Sequence, residues 1–225
     1  MKVKLTRVTE NPVDAIEEAA SNCYDSELTG GKIMNACYKS GHHSVLEFAD
    51  FTFHIEGVSR ALLAQLTRHR HCSFAVRSQR YCNENGFGYV IPHSIKNKGN
   101  VVLTNYMNMM DQIQEWYNYL QEEGIPNEDA RYVLPNACDT ILEIKLNGRE
   151  LVHLMNERLC TRAQWEIREM CNLMKNEVKN YNDQCEMFSN FLVPKCEKYG
   201  KQFAFCPEHK SCGRHQTLKS LIENQ

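Results

Sequence analysis

Two strands stand out in the alternation of apolar and polar positions. Ala49, Phe51, Phe53 and Ile55 alternate with Asp50, Thr52, His54 and Glu56. Thr140, Leu142, Ile144 and Leu146 alternate with Asp139, Glu143 and Lys145. A period of two with one apolar face marks a half-buried antiparallel strand. Val3, Leu5 and Val8 predict a shorter first strand. Elsewhere the period is helical. Asn11-Pro12 opens a helix with Pro at its first position, carrying Ile16, Ala19 and Ala20. Beyond the Gly30-Gly31 break, Ile33, Met34 and Cys37 predict a short helix ending near Gly41. Ser59 predicts a cap for a helix through Ala61, Leu62, Leu63 and Leu66. Leu103, Tyr106, Met107, Met110, Ile113, Trp116, Tyr117 and Leu120 trace a long amphipathic helix, closed by Gly124 and Pro126, whose stripe faces the core or a subunit interface. Asn147-Gly148-Arg149-Glu150 reads as a capping box opening a helix through Leu151, Leu154, Met155, Arg158 and Leu159. The elements alternate without strict βαβ order, so the expected fold class is α+β, an antiparallel sheet with packed helices.

The chain of 225 residues has a net charge of -2, which argues against general binding to nucleic acid or membranes. Met1 to Arg7 lacks the apolar core of a signal peptide, and no stretch approaches a membrane span. Most of the eleven cysteines sit singly in apolar segments, among them Cys23, Cys37, Cys138 and Cys171, as small hydrophobes do. They read as reduced thiols of a cytoplasmic protein.

Charge is concentrated locally. From Gly57 to Asn83 there is no acidic residue, yet Arg60, Arg68, Arg70, Arg77 and Arg80 fall there, with His69 and His71. Such an island in a near-neutral chain predicts a specific anion site. Gln65, Arg68 and His69 share one face at the end of the helix after Ser59. Beyond Arg70 an extended reading puts Phe74, Val76, Ser78 and Arg80 on one side, with Ala75, Arg77 and Gln79 on the other. Forked guanidiniums suit phosphate, and their flat donors also suit a ring carbonyl. Arg158 lies on an apolar stripe and needs an anionic or strongly polar partner, unless it snorkels to solvent. Asn147 and Arg149 start that helix, where free N–H groups favour anions, and His153 lies one turn on. By itself, Arg131 beside Asp129 reads as a surface ion pair.

Arg68-His69-Arg70, seven residues and then Ser78, followed by Arg80-Tyr81, resembles the signature of the flavin-dependent thymidylate synthases. Gly41-His42-His43-Ser44 before the first alternating strand, Ala130-Arg131-Tyr132-Val133-Leu134-Pro135, and Asn147 to Arg158 with Ala163-Gln164-Trp165-Glu166-Ile167 resemble further segments of that family. The chain departs from the family at Ala75 and Val76, where Asn and an acidic residue are common, and at His153, where Asn is common. The resemblance covers about residues 30 to 175 and implies the thymidylate synthase-complementing protein-like fold and a homotetramer with active sites at subunit interfaces. It also implies reductive methylation of dUMP to dTMP, with FAD as cofactor and 5,10-methylenetetrahydrofolate and NADPH as co-substrates.

By the same resemblance, dUMP is held by Gln65, Leu66, Thr67, Arg68, Val76, Arg77, Ser78, Gln79, Arg80 and Arg131, with Arg158 as the catalytic group against the uracil. FAD is held by His42, Ser44, Arg68, His69, Arg70, Val76, Asn147, Gly148, Arg149 and His153. The synthase domain spans 1–193, and 194–225 forms an appended tail. There Cys196, Cys206, Cys212 and His215 offer a tetrahedral zinc site without a Cys-x-x-Cys knuckle. The rival readings are a nucleic-acid-binding module using the arginine stretch, and a catalytically impaired flavin- and nucleotide-binding relative.

Overall fold

The computed structural model describes residues 1–23 and 25–223. In chain order the elements are β1 (Lys2–Val8), α1 (Pro12–Ser21), α2 (Lys32–Lys39), a 3-10 helix (His43–Phe48), β2 (Asp50–Ser59), α3 (Arg60–Leu66) and β3 (Cys72–Val76). Next come α4 (His93–Lys96), α5 (Asn100–Glu122), α6 (Asn127–Ala130), a 3-10 turn (Arg131–Val133), β4 (Asp139–Asn147) and α7 (Gly148–Arg158). The chain closes with α8 (Trp165–Lys179), α9 (Asp183–Ser189), 3-10 turns at Lys195–Glu197 and Lys201–Phe203, and α10 (Leu218–Glu223). The strands form one sheet in the order β1-β2-β4-β3. The fold is α+β, an antiparallel sheet with packed helices, as the strand patterns predict.

Both alternating strands bury the expected face. Phe51, Phe53 and Ile55 of β2 are fully buried, as are Leu142, Ile144 and Leu146 of β4. Each such side chain contributes about 1.5–3 kcal/mol by leaving water. The chain divides into two compact units, the first comprising 1–2, 55–68 and 74–143, the second 3–54, 69–73 and 144–225.

In the second unit α9 packs on α1 and α8, and α7 packs on α8 and on the 3-10 helix His43–Phe48. Two helix starts there are capped from a distance. Asn11 precedes Pro12 in the left-handed conformation, and its side chain caps nothing; Gln184 Oε1 accepts the Val13 N–H at 2.9 Å instead. Gly31, at the start of α2, has no side chain to offer. The fully buried Glu17 serves it, accepting the N–H groups of Thr29, Gly31, Ile33 and Met34 at 2.6, 2.9, 3.0 and 3.3 Å.

In the first unit α5 packs on α4 and α6. Its apolar stripe is only partly buried within the chain: Met110 and Tyr117 are covered, whereas Met107 and Trp116 are 42% and 64% exposed. Among the described residues, no helix is long and apolar enough to cross a membrane.

Candidate active site

In the first unit, Ser59 Oγ accepts the Leu62 N–H at 3.0 Å and so starts α3, as its sequence position predicts. The helix is short. Leu66 is buried in packing, the Thr67 hydroxyl bonds back to the Leu63 carbonyl, and Gln65 reaches the Ala61 carbonyl. β3 ends at Val76, so the extended face expected to run to Arg80 stops four residues early. The Arg77 N–H still pairs with the Ile141 carbonyl at 3.0 Å, but Ser78 Oγ then accepts the Arg80 N–H at 3.2 Å and turns the chain. A serine bonding two residues ahead competes with strand pairing and wins here.

The turn separates the arginines by role. Arg77 Nε donates to the buried Glu84 at 3.3 Å, while Arg60 Nη2 donates to the Arg77 carbonyl at 2.9 Å. Arg80 pairs with the Glu128 carboxylate at 2.9 Å, and Arg131 Nε donates to the Glu128 backbone carbonyl at 3.0 Å. Arg131 is therefore held by Glu128, where its neighbour Asp129 was the expected partner. Glu128 thus gathers the guanidiniums of Arg80 and Arg131, one on its carboxylate and the other on its backbone carbonyl.

The chain re-enters the second unit at His69. That residue lies beyond the end of α3, so it does not share a helical face with Gln65, and it is buried to 7% exposure. Arg158 Nε donates to His69 Nε2 at 3.1 Å, and His69 Nδ1 lies 3.3 Å from Glu150 Oε1. Since Nε2 accepts, the proton of the neutral ring sits on Nδ1 and is donated to Glu150. Burial and then the Arg158 charge hold His69 below its ordinary pKa, against the opposing pull of Glu150. Arg158 thus has the strongly polar partner its place on the stripe demands, an imidazole.

Glu150 is the residue the sequence reading undervalued. Asn147 Oδ1 accepts the Glu150 N–H at 2.9 Å, half of the expected capping box. The Glu150 carboxylate turns to His69, which local spacing does not reveal because the partners are 81 residues apart. Cys72 Sγ is 3.9 Å from the same carboxylate oxygen, and burial together with that charge pushes its pKa to about 12. His69, Glu150 and the exposed His153 bring three possible metal donors together. The Arg158 cation occupies the His69 Nε2 acceptor, so this cluster is hydrogen-bonded and not a metal centre.

A profile described as "Thymidylate synthase complementing protein" matches residues 4–181. The chain belongs to the flavin-dependent thymidylate synthase family. The Clostridium tetani enzyme of that name is 36% identical over 249 residues, covering 98% of this chain and 96% of that one. The Geobacter sulfurreducens enzyme is 40% identical over 194 residues, covering 80% and 82%. The crystal structure of thymidylate synthase X from Helicobacter pylori with FAD and dUMP superimposes with a TM-score of 0.68 at 25% identity, covering 85% of this chain and 99% of that one.

In this thymidylate synthase family member, the residues expected to hold dUMP lie in the first unit except for Arg158. Those expected to hold FAD lie in the second except for Arg68 and Val76. The second-unit set is assembled around the start of α7. The Gly148 N–H donates to the Ala49 carbonyl at 2.7 Å, and a Cβ on Gly148 would meet the Leu46 carbonyl at 2.7 Å. A larger residue would push the 3-10 helix away, and with it the segment carrying His42 and Ser44. Arg149 is tied across the same junction to Glu47 at 2.6 Å. Of the histidine pair, His43 bonds to and stacks on Tyr38, whereas His42 is exposed. His42, Ser44, Arg70, Arg149 and His153 therefore combine cationic, hydroxyl and imidazole groups. That donor chemistry fits the pyrophosphate and ring carbonyls of FAD.

Proposed function

We propose that the chain methylates dUMP reductively to dTMP, with its two sets of polar residues divided between substrate and cofactor. Ser78, Arg80 and Arg131 take the nucleotide phosphate, supported by Gln65, Arg68 and Gln79. Arg77 plays a supporting part, since its guanidinium is engaged with Glu84 and its N–H with the Ile141 carbonyl. His42, Ser44, Arg68, His69, Arg70, Asn147, Arg149 and His153 hold FAD; Gly148 lets the surrounding backbone come close. Bound FAD supplies the hydride, with 5,10-methylenetetrahydrofolate as carbon donor and NADPH as source of electrons.

Arg158 acts on the uracil. Its Nε is committed to His69, so its terminal nitrogens are oriented as a fixed pair of donors. Such a pair suits negative charge developing at N3 and the adjacent carbonyl, stabilisation that needs no reorganisation during the reaction. The neutral His69 leaves the full positive charge on the guanidinium. The hydrogen-bonded series Glu150, His69, Arg158 is the observation that carries this reading.

Residues 1–193 are assigned to the reaction and 194–225 to an appended segment. A cytoplasmic homotetramer accords with the exposed Val101, Met109, Trp116 and Tyr119 on α5, apolar surface that subunits would cover. Product analysis tests the function. With dUMP, methylenetetrahydrofolate, NADPH and FAD, the chain should form dTMP and release the folate as tetrahydrofolate, because the hydride comes from flavin. Release of dihydrofolate would mean that the folate is itself the hydride donor and would contradict the proposal.

A further inference from the structure

A cavity of about 20 Å³ in the second unit is lined by Cys160, Cys196, Cys206 and Cys212, together with His215. That volume holds about one water-sized particle. Four of the eleven cysteines line this one cavity, three from the tail and Cys160 from the segment after α7. We propose that the cavity is a structural zinc site with the four thiolates of Cys160, Cys196, Cys206 and Cys212 as ligands, fastening the tail to the end of α7.

The donor set is soft and closed, the combination that selects zinc in a structural role. The frame around it is already hydrogen-bonded. The Phe205 N–H donates to the Cys196 carbonyl at 3.2 Å, and the Cys206 N–H to the Gln216 carbonyl at 2.7 Å. Arg162, two residues beyond Cys160, pairs with Glu208 at 3.2 Å and donates to the Lys210 carbonyl at 3.2 Å. These contacts hold the loop between Cys206 and Cys212 against the segment that follows α7.

Four thiolates and a divalent cation leave two negative charges. Arg214 lines the cavity, as does Lys195, which is paired with the lining residue Glu208 at 2.5 Å. Cys196, Glu197 and His215 form an alternative donor group. However, His215 Nε2 is bonded to Glu197 Oε1 at 3.1 Å, so these two satisfy each other. Cys160 completes the set as a fourth thiol from the cavity lining, with the His215–Glu197 pair beside it. Cys160 lies two residues beyond Arg158, so the metal would brace the helix end that presents the active-site guanidinium. The site does not depend on the redox reaction or on FAD.

Metal analysis of the full chain as purified should find about one zinc per chain. Native thiol titration should show four protected thiols that react once a chelator removes the metal. Cys160→Ser should lower bound zinc at least tenfold, while Cys23→Ser, at an exposed thiol outside the cavity, should leave it unchanged. The wild-type metal content and thiol count stand even if a variant misfolds. Absence of zinc, iron in its place, a disulfide among the four cysteines, or full zinc retention in Cys160→Ser would each overturn the proposal.

Discussion

Arg158 Nε donates to His69 Nε2 at 3.1 Å, which fixes the guanidinium plane through a neutral ring. Lysine at this position keeps a charge but presents no planar pair of donors. Arg158→Lys should therefore retain FAD yet lose about 3 kcal/mol of transition-state stabilisation, roughly a hundredfold in turnover. Stopped-flow oxidation of reduced flavin with dUMP and folate measures the loss. Near-normal turnover would remove Arg158 from its role.

The same pair gives stability a pH dependence. Burial, followed by the Arg158 charge, holds the folded pKa of His69 below 6.5; Glu150 opposes this, and His153 adds to the lowering. Between the folded value and about 6.5 the unfolded chain binds more protons at this ring. The contribution is thus complete above about pH 6.5 and declines as pH falls toward the folded pKa. Urea midpoints from pH 7.5 to 5.5 should fall more steeply for the wild type than for His69→Asn. Parallel profiles would show that His69 is not held neutral.

Thiolate attack on uracil requires a reactive cysteine, and those most firmly placed near the motifs are poor candidates. Burial and Glu150 push Cys72 to about 12, and burial, Glu84 and Asp139 push Cys138 to about 11, against Arg60 and Gln79. Cys72→Ser and Cys138→Ala should each lower turnover by less than tenfold when corrected for bound FAD. Abolition of turnover by either change, with FAD and dUMP still bound, would overturn the hydride-first mechanism.

Much of this was legible in the sequence where one residue's neighbours decide its fate. The alternating faces of β2 and β4, the Ser59 cap and the Asn147 cap were readable because period and capping are local rules. The long α5 was legible as a helix, but spacing does not say which partner covers its stripe: only Met110 and Tyr117 are buried within the chain. Glu150 was read as a capping partner, because nothing local shows that a buried histidine competes for its carboxylate. Cys160, next to the end of α7, gave no sign that it meets the tail cysteines. At Ser78 a side-chain turn ended a strand whose alternation would otherwise have continued. The motif arginines were visible, but Glu84 and Glu128, which sort them into two roles, lie outside the motif.

Glu17 offers a separate test of the fold. Burial raises its pKa, yet hydrogen bonds from Thr29, Met34 and Ile33 outweigh this and hold it below the ordinary 4.5. Its contribution is present above about 4.5 and is lost as pH falls through the lower folded value. Glu17→Ala uncaps α2 and should cost about 3 kcal/mol at neutral pH, read from urea unfolding. The gap between variant and wild type should close in acid. An unchanged midpoint at neutral pH would show that Glu17 does not cap the helix.

The central claim is that the chain binds both FAD and dUMP and couples them in one reaction. The direct measurement is the visible spectrum of the purified or FAD-reconstituted protein as dUMP is added. A yellow protein whose flavin bands shift saturably with dUMP, with the shift weakened by Arg80→Ala and by Arg131→Ala, is the predicted result. A protein that binds no FAD after reconstitution, or whose bound flavin is indifferent to saturating dUMP, would contradict the account.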